Sequence, residues 1–164
     1  MRKKIILFYV DIKSRDLQSL SLISFYLKKK YFIFFAPIYE WRFADYADCI
    51  IINKLHYADD QITKWKRQNK QVILIDTEGK TFSSPNSSIH KKIDVFPNLY
   101  FFWNNVEMNK YKKEMIKKNC IGYIGGYFRS DFCHRDFRSI YDYSKIMQKY
   151  NLKKKKVITF SSSF

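Results

Sequence analysis

Six apolar runs rich in Ile, Val, Phe and Tyr punctuate the chain, at Ile5 to Val10, Tyr31 to Ala36, Cys49 to Ile52, Val72 to Ile75, Leu99 to Trp103 and Cys120 to Ile124. A strand wetted on one face alternates apolar with polar residues. Runs without alternation predict strands covered on both faces, as in a parallel sheet. Between them the apolar spacing changes to three and four: Leu17, Leu20, Ile23 and Leu27, then Ala58, Ile62 and Trp65, then Met108, Tyr111 and Met115, and last Phe137, Ile140, Tyr143 and Met147. That spacing lines up one face of a helix. Ser84 before Pro85 predicts a cap followed by proline in the first turn, and Asn104 with Glu107 has the form of a capping box. The repeated β-then-α pattern predicts an α/β, Rossmann-like, doubly wound, mainly parallel sheet. Its ligand crevice would lie beyond the carboxyl ends of the strands.

At 164 residues, 46% of them hydrophobic, the chain has material for one core and one main domain. The expected domain is residues 1–150. After it come "NLKKKK" and then "VITFSSSF", which ends at Phe164. A lone strand is an odd close to a βα domain. Residues 151–164 are therefore expected to pair at the sheet edge, or to be a linker and the first strand of a further domain.

The formal charge of +16 raises nucleic acid or an anionic membrane as partners. Lys outnumbers Arg, however, and travels with Ile, Phe, Tyr and Asn, which favours a solvated lysine-rich surface over a nucleic-acid interface. "MRKKIILFYV" starts like a signal peptide, but the apolar stretch is short, Asp11 interrupts it and no small-residue cleavage site follows. Cys49, Cys120 and Cys133 have unrelated spacings, giving neither a disulfide framework nor metal-ligand pairs. These features place the chain in a reducing cytoplasm, with contact at the inner face of the membrane open to it.

Read from the strand ends, the first loop, "DIKSRD", supplies Asp11, Lys13, Ser14, Arg15 and Asp16 without the glycines of a nucleotide loop. Those charges serve either as a helix cap with its partners or as ligand contacts. The fourth run leads into "IDTEGKTF". Gly79 would permit a turn that points Glu78 into the crevice, where a carboxylate acts as general base, with Asp76 beside it; residue type alone favours the plainer arrangement, in which Asp76 caps the turn and Glu78 is solvated. The sixth leads into "GGYFRSDF", where Gly125 and Gly126 allow a sharp turn that leaves Arg129 and Asp131 at the crevice edge, either as ligand contacts or as an ion pair that fixes the turn. The glycine spacing fits no phosphate loop. "HRDF" at His134 mimics a kinase catalytic loop, but Tyr141 stands where asparagine is required. His56, His90 and His134 lack metal-site spacing, and Cys133 beside His134 is a bystander pair. No metal or cofactor is expected.

Three of these stretches carry a resemblance. "ILFYVDIKSRDLQSLSLISFYLKKKYF", "VILIDTEG" and "YIGGYFRSDF" resemble the strand-acid-K-x-R-[DE]-L opening, the D-x-E-G segment and the G-x-x-R-x-D segment of bacterial surface carbohydrate biosynthesis proteins and their glycerophosphotransferase-like relatives. The resemblance implies the acceptor-side, amino-terminal half of a GT-B glycosyltransferase, active in making capsule, lipopolysaccharide or a related glycan. It implies Lys13, Arg15, Asp16, Asp76, Gly79, Gly126, Arg129 and Asp131 as substrate-binding positions and Glu78 as catalytic base. Its partners would be a glycan or lipid-linked acceptor and, only through a carboxyl-terminal domain beyond Phe164, a nucleotide-sugar donor; alone, the chain would transfer little. The competing readings are a basic module that binds nucleic acid, an anionic membrane or a glycan, and a silent truncated gene product.

Overall fold

In the computed structural model, the structure describes residues 2–54, 59–76, 95–129, 144, 148–149 and 151. The first of two compact units, Met1–Asp131, holds a sheet of six strands: β1 (Ile5–Val10), β2 (Phe32–Pro37), β3 (Cys49–Ile52), β4 (Gln71–Ile75), β5 (Leu99–Phe102) and β6 (Ile121–Ile124). Helices α1 (Lys13–Leu27), α2 (Asp59–Arg67) and α3 (Asn105–Lys117) alternate with them, and a 3-10 helix spans Trp41–Tyr46. In the second unit, Phe132–Phe164, residues 144, 148 and 149 are helical, and the Asn151 N–H closes the turn on the Gln148 carbonyl. The periodic positions Phe137 to Met147, the Ser84–Pro85 cap and the strand expected in "VITFSSSF" lie outside the described residues, as do Glu78, Gly79 and Asp131.

All six strands are parallel, in the order β2-β1-β3-β4-β5-β6. The Rossmann-like α/β architecture is therefore present, and each expected strand falls within a residue of its apolar run. From β1 the chain steps outward to β2, then returns to the other side of β1 and adds β3 to β6 in succession. The chain leaves β1 and β3 in opposite directions along the sheet, so their carboxyl ends form the switch point at which such sheets hold ligands.

Successive residues of a strand face opposite ways, and the runs fill both faces. Leu7, Tyr9, Ile50, Ile52, Val72, Leu74, Tyr100 and Phe102 face one core, closed by Ile62 and Trp65 of α2, Met115 of α3 and Ala44 of the 3-10 helix. Ile6, Phe8 and Ile51 face the other, with Leu20 of α1 and Phe128. Asn104 caps α3 by accepting the Glu107 N–H at 2.9 Å. The expected box is half formed, since the Glu107 carboxylate bonds Lys110 at 2.8 Å. An Asn104 cap alone contributes about 1 kcal/mol.

Trp65 anchors the larger core, 1% exposed, stacked on Tyr9 with ring centroids 5.8 Å apart and edge-on to Trp41 at 5.6 Å. Trp65→Ala should therefore destabilise the protein by about 3–5 kcal/mol, read from urea unfolding midpoints; a loss below about 1 kcal/mol would show that α2 does not close this core.

Burial also pushes the phenols of Tyr9 and Tyr100 upward, and Tyr111 up to about 12 from an ordinary 10.0. A phenol held protonated in the folded chain stabilises it fully below the unfolded value, and that contribution is lost as pH rises through the folded one. Tyr111→Phe should consequently flatten the fall in urea midpoint between about pH 10 and 12 relative to the native chain; parallel profiles for the two proteins would contradict the burial of this ring.

Candidate functional site at the carboxyl rim

The carboxyl ends of β1 and β3 are followed by Asp11 and by the pair Asn53–Lys54. Helix α1 starts between them without a side-chain cap, because its cap residue is Ile12. Asp16, one turn in, takes over: its Oδ2 accepts the Ile12 N–H at 3.2 Å. Asp16 lies in line with Leu20, Ile23 and Leu27, so the stripe that buries α1 against the sheet begins with a carboxylate. It is fully buried.

A buried carboxylate must be surrounded by donors or it will not stay ionised. Asp16 has four. Oδ2 also accepts Asn53 Nδ2 at 2.7 Å, while Oδ1 accepts Arg15 Nε at 3.1 Å and Arg129 Nη2 at 2.6 Å. Arg15 spans outward and gives Nη2 to Asp11 Oδ2 at 2.9 Å, an oxygen shared with Lys54 Nζ at 2.8 Å. The result is a continuous string, Lys54–Asp11–Arg15–Asp16–Arg129, with three cations and two carboxylates. It runs from the interior at Asp16 to the partly exposed guanidinium of Arg15.

Arg129 arrives from the far edge of the sheet. After β6 the N–H groups of Gly125 and Gly126 both donate to the Phe102 carbonyl, at 2.9 and 3.2 Å, and Gly126 adopts a left-handed φ of 72° that a side chain would strain. The chain then turns inward across β5. Tyr127 packs against Trp103 with centroids 4.5 Å apart, Phe128 enters the α1-side core, and Arg129 lies over the Tyr127 ring at 5.9 Å. This segment is a strap, and its glycine N–H groups are committed to the backbone of β5. The strap carries the Arg129 guanidinium to Asp16 of α1; Asp131, its expected partner, lies outside the described residues.

Of the positions singled out from sequence, Arg15, Asp16 and Arg129 come together. Lys13 is exposed at the start of α1, beside a groove of about 260 Å³ lined with Asp11, Leu17, Phe35 and Pro37. Asp76 ends β4 as a tether: its carbonyl accepts the Trp103 indole at 2.8 Å, and its carboxylate stands 3.5 Å from the Tyr100 hydroxyl. Asp11 is among the first-loop charges singled out from sequence, whereas Asn53, Lys54, Trp103 and Tyr127 are passed over. Two polar residues directly after the run Cys49 to Ile52 were the available signal. Among the described residues, no three His, Cys, Asp or Glu side chains gather as a metal site. No described helix is long and apolar enough to cross a membrane.

Removing one member of a buried pair strands the other, which costs about 3–5 kcal/mol. Asp16→Asn and Arg129→Gln should each cause losses of that order. In a double-mutant cycle their coupling should exceed about 1.5 kcal/mol. Additive effects would mean that the two side chains do not interact.

Compared with known protein families, curated proteins and solved structures, the chain matches none.

Proposed function

We propose that the chain is the acceptor-side domain of a glycosyltransferase-type enzyme of surface-polysaccharide synthesis, and that the rim between β1 and β3 holds an acceptor bearing negative charge. One observation carries the reading. Arg15 and Asp16, from the first stretch that resembles the surface-carbohydrate proteins, bond to each other, and Asp16 bonds Arg129 from the last stretch, 113 residues away. Stretches chosen for likeness in sequence thus meet at the switch point, where chemistry on such sheets belongs.

The network divides its tasks. Asp16, saturated with donors and wholly buried, is a positioning residue that aims Arg15 and Arg129. Arg15 is the cation of the string nearest solvent, with Lys54 and Arg129 both largely enclosed. The Nε of Arg129 is buried and finds no acceptor among the described residues, an orphan donor of the kind that a bound oxygen satisfies. A phosphate or uronate group on the acceptor suits this set, because a guanidinium donates to paired oxygens in a fixed fork. On this reading the nucleotide-activated donor is held by a second domain. The acceptor hydroxyl attacks the sugar, its proton passes to Glu78, and the nucleotide leaves with the bonding electrons.

The test is genetic and chemical. Deleting the coding sequence in the source cell should remove a surface polysaccharide, and the native gene should restore it, measured on extracted glycan. Glu78→Gln should restore it at a rate lower by ~10². An unchanged glycan profile in the deletion strain would overturn the reading; full restoration by Glu78→Gln would remove Glu78 from it.

A further inference from the structure

The surface at the opposite end of the strands carries a second feature, independent of the reading of the rim. Where α1 ends and β2 begins, eight consecutive residues read "FYLKKKYF". Phe25, Tyr26 and Phe32 are 57%, 67% and 62% exposed, and Lys28, Lys29 and Lys30 are exposed with them. Leu27 and Tyr31 turn inward and pack on the α1-side core.

The corner is held in shape. The Lys28 N–H donates to the Ser24 carbonyl at 2.8 Å, the N–H groups of Lys30 and Tyr31 both donate to Leu27, and the Phe32 N–H donates to the carbonyl of Lys4, itself exposed. Two aromatic rings, Phe25 and Tyr26, are therefore displayed together at the end of α1 beside Lys28, Lys29 and Lys30, while Phe32 opens β2 on the sheet face of Phe34 and Ala36. Single exposed apolar side chains are ordinary, whereas a cluster of large ones ringed by cations marks a contact surface.

We propose that residues 25–32, with Lys4, dock the protein on an anionic lipid bilayer. Aromatic rings settle at the level of the headgroups, lysines gain from the negative surface potential, and long lysine stems let the ammonium groups reach the phosphates while the rings enter. The ring geometry disfavours nucleic acid. Stacked bases need open, parallel ring faces, but Phe25 and Tyr26 stand edge to face at 86° and the Lys28 ammonium lies over the Phe25 ring at 4.3 Å. A second copy of the chain is disfavoured as occupant because four lysines would meet four lysines.

The experiment is vesicle sedimentation in about 0.15 M salt, with phosphatidylcholine alone and with about 30% phosphatidylglycerol. The native chain should bind the anionic vesicles. The triple change Lys28→Ala, Lys29→Ala, Lys30→Ala should weaken binding roughly 100-fold, whereas the same charge loss on α3, by Lys112→Ala, Lys113→Ala and Lys117→Ala, should change it by no more than about three-fold. Phe25→Ala with Tyr26→Ala, neutral in charge, should weaken it about ten-fold, and the indole introduced by Phe25→Trp should shift its emission to the blue on anionic vesicles alone. Equal damage from the two lysine triples, or an indole that keeps its water-exposed emission, would overturn the proposal. So would tighter binding to a single-stranded oligonucleotide, or a dimer in solution, that these same corner substitutions abolish.

Discussion

One buried carboxylate organises the rim. Asp16 sits where a leucine would suit the helix better, and an isolated ion there would be expelled or neutralised. It stays because donors converge on it from the start of α1, from the residue after β3 and from the strap beyond β6. An ion pair of this kind adds little stability compared with a well-packed apolar replacement. Its effect is on geometry: the loops of three separate elements have one arrangement in which that charge is satisfied.

The fold was legible in the sequence because its main determinant is local. A parallel sheet covered on both faces demands unbroken apolar runs, and six such runs mark six strands to within a residue. The spacing of the three described helices is equally open to view, with one instructive slip. Leu17 was placed in the buried stripe of α1, but at that level the fully buried position belongs to Asp16. The site was less legible. Arg129 takes a partner 113 residues earlier, in Asp16; only strand order and the path of the strap bring the two together. Asn53 and Lys54 carry no motif at all. Their importance comes from β3 lying beside β1, which no local pattern encodes.

The double glycine has a plainer purpose than its appearance suggested. Backbone N–H groups that cradle phosphate must point at the ligand, and those of Gly125 and Gly126 are spent on Phe102. What the glycines provide is the reversal that sends the chain inward from an edge strand. An anion reaching this rim would therefore meet side chains, chiefly guanidinium and ammonium groups, rather than a nest of amides.

Because the strands all point one way, the sheet has a foot and a head. The aromatic corner lies where β1 and β2 begin, and the charged string lies where they finish, about 20 Å further along a six-residue strand. Standing on a bilayer by its foot, the protein would lift its head clear of the lipid phosphates by that height. A substrate anchored in the same leaflet would have to bridge the gap with its own length, so a growing saccharide several units long would be within reach while a bare lipid headgroup would not.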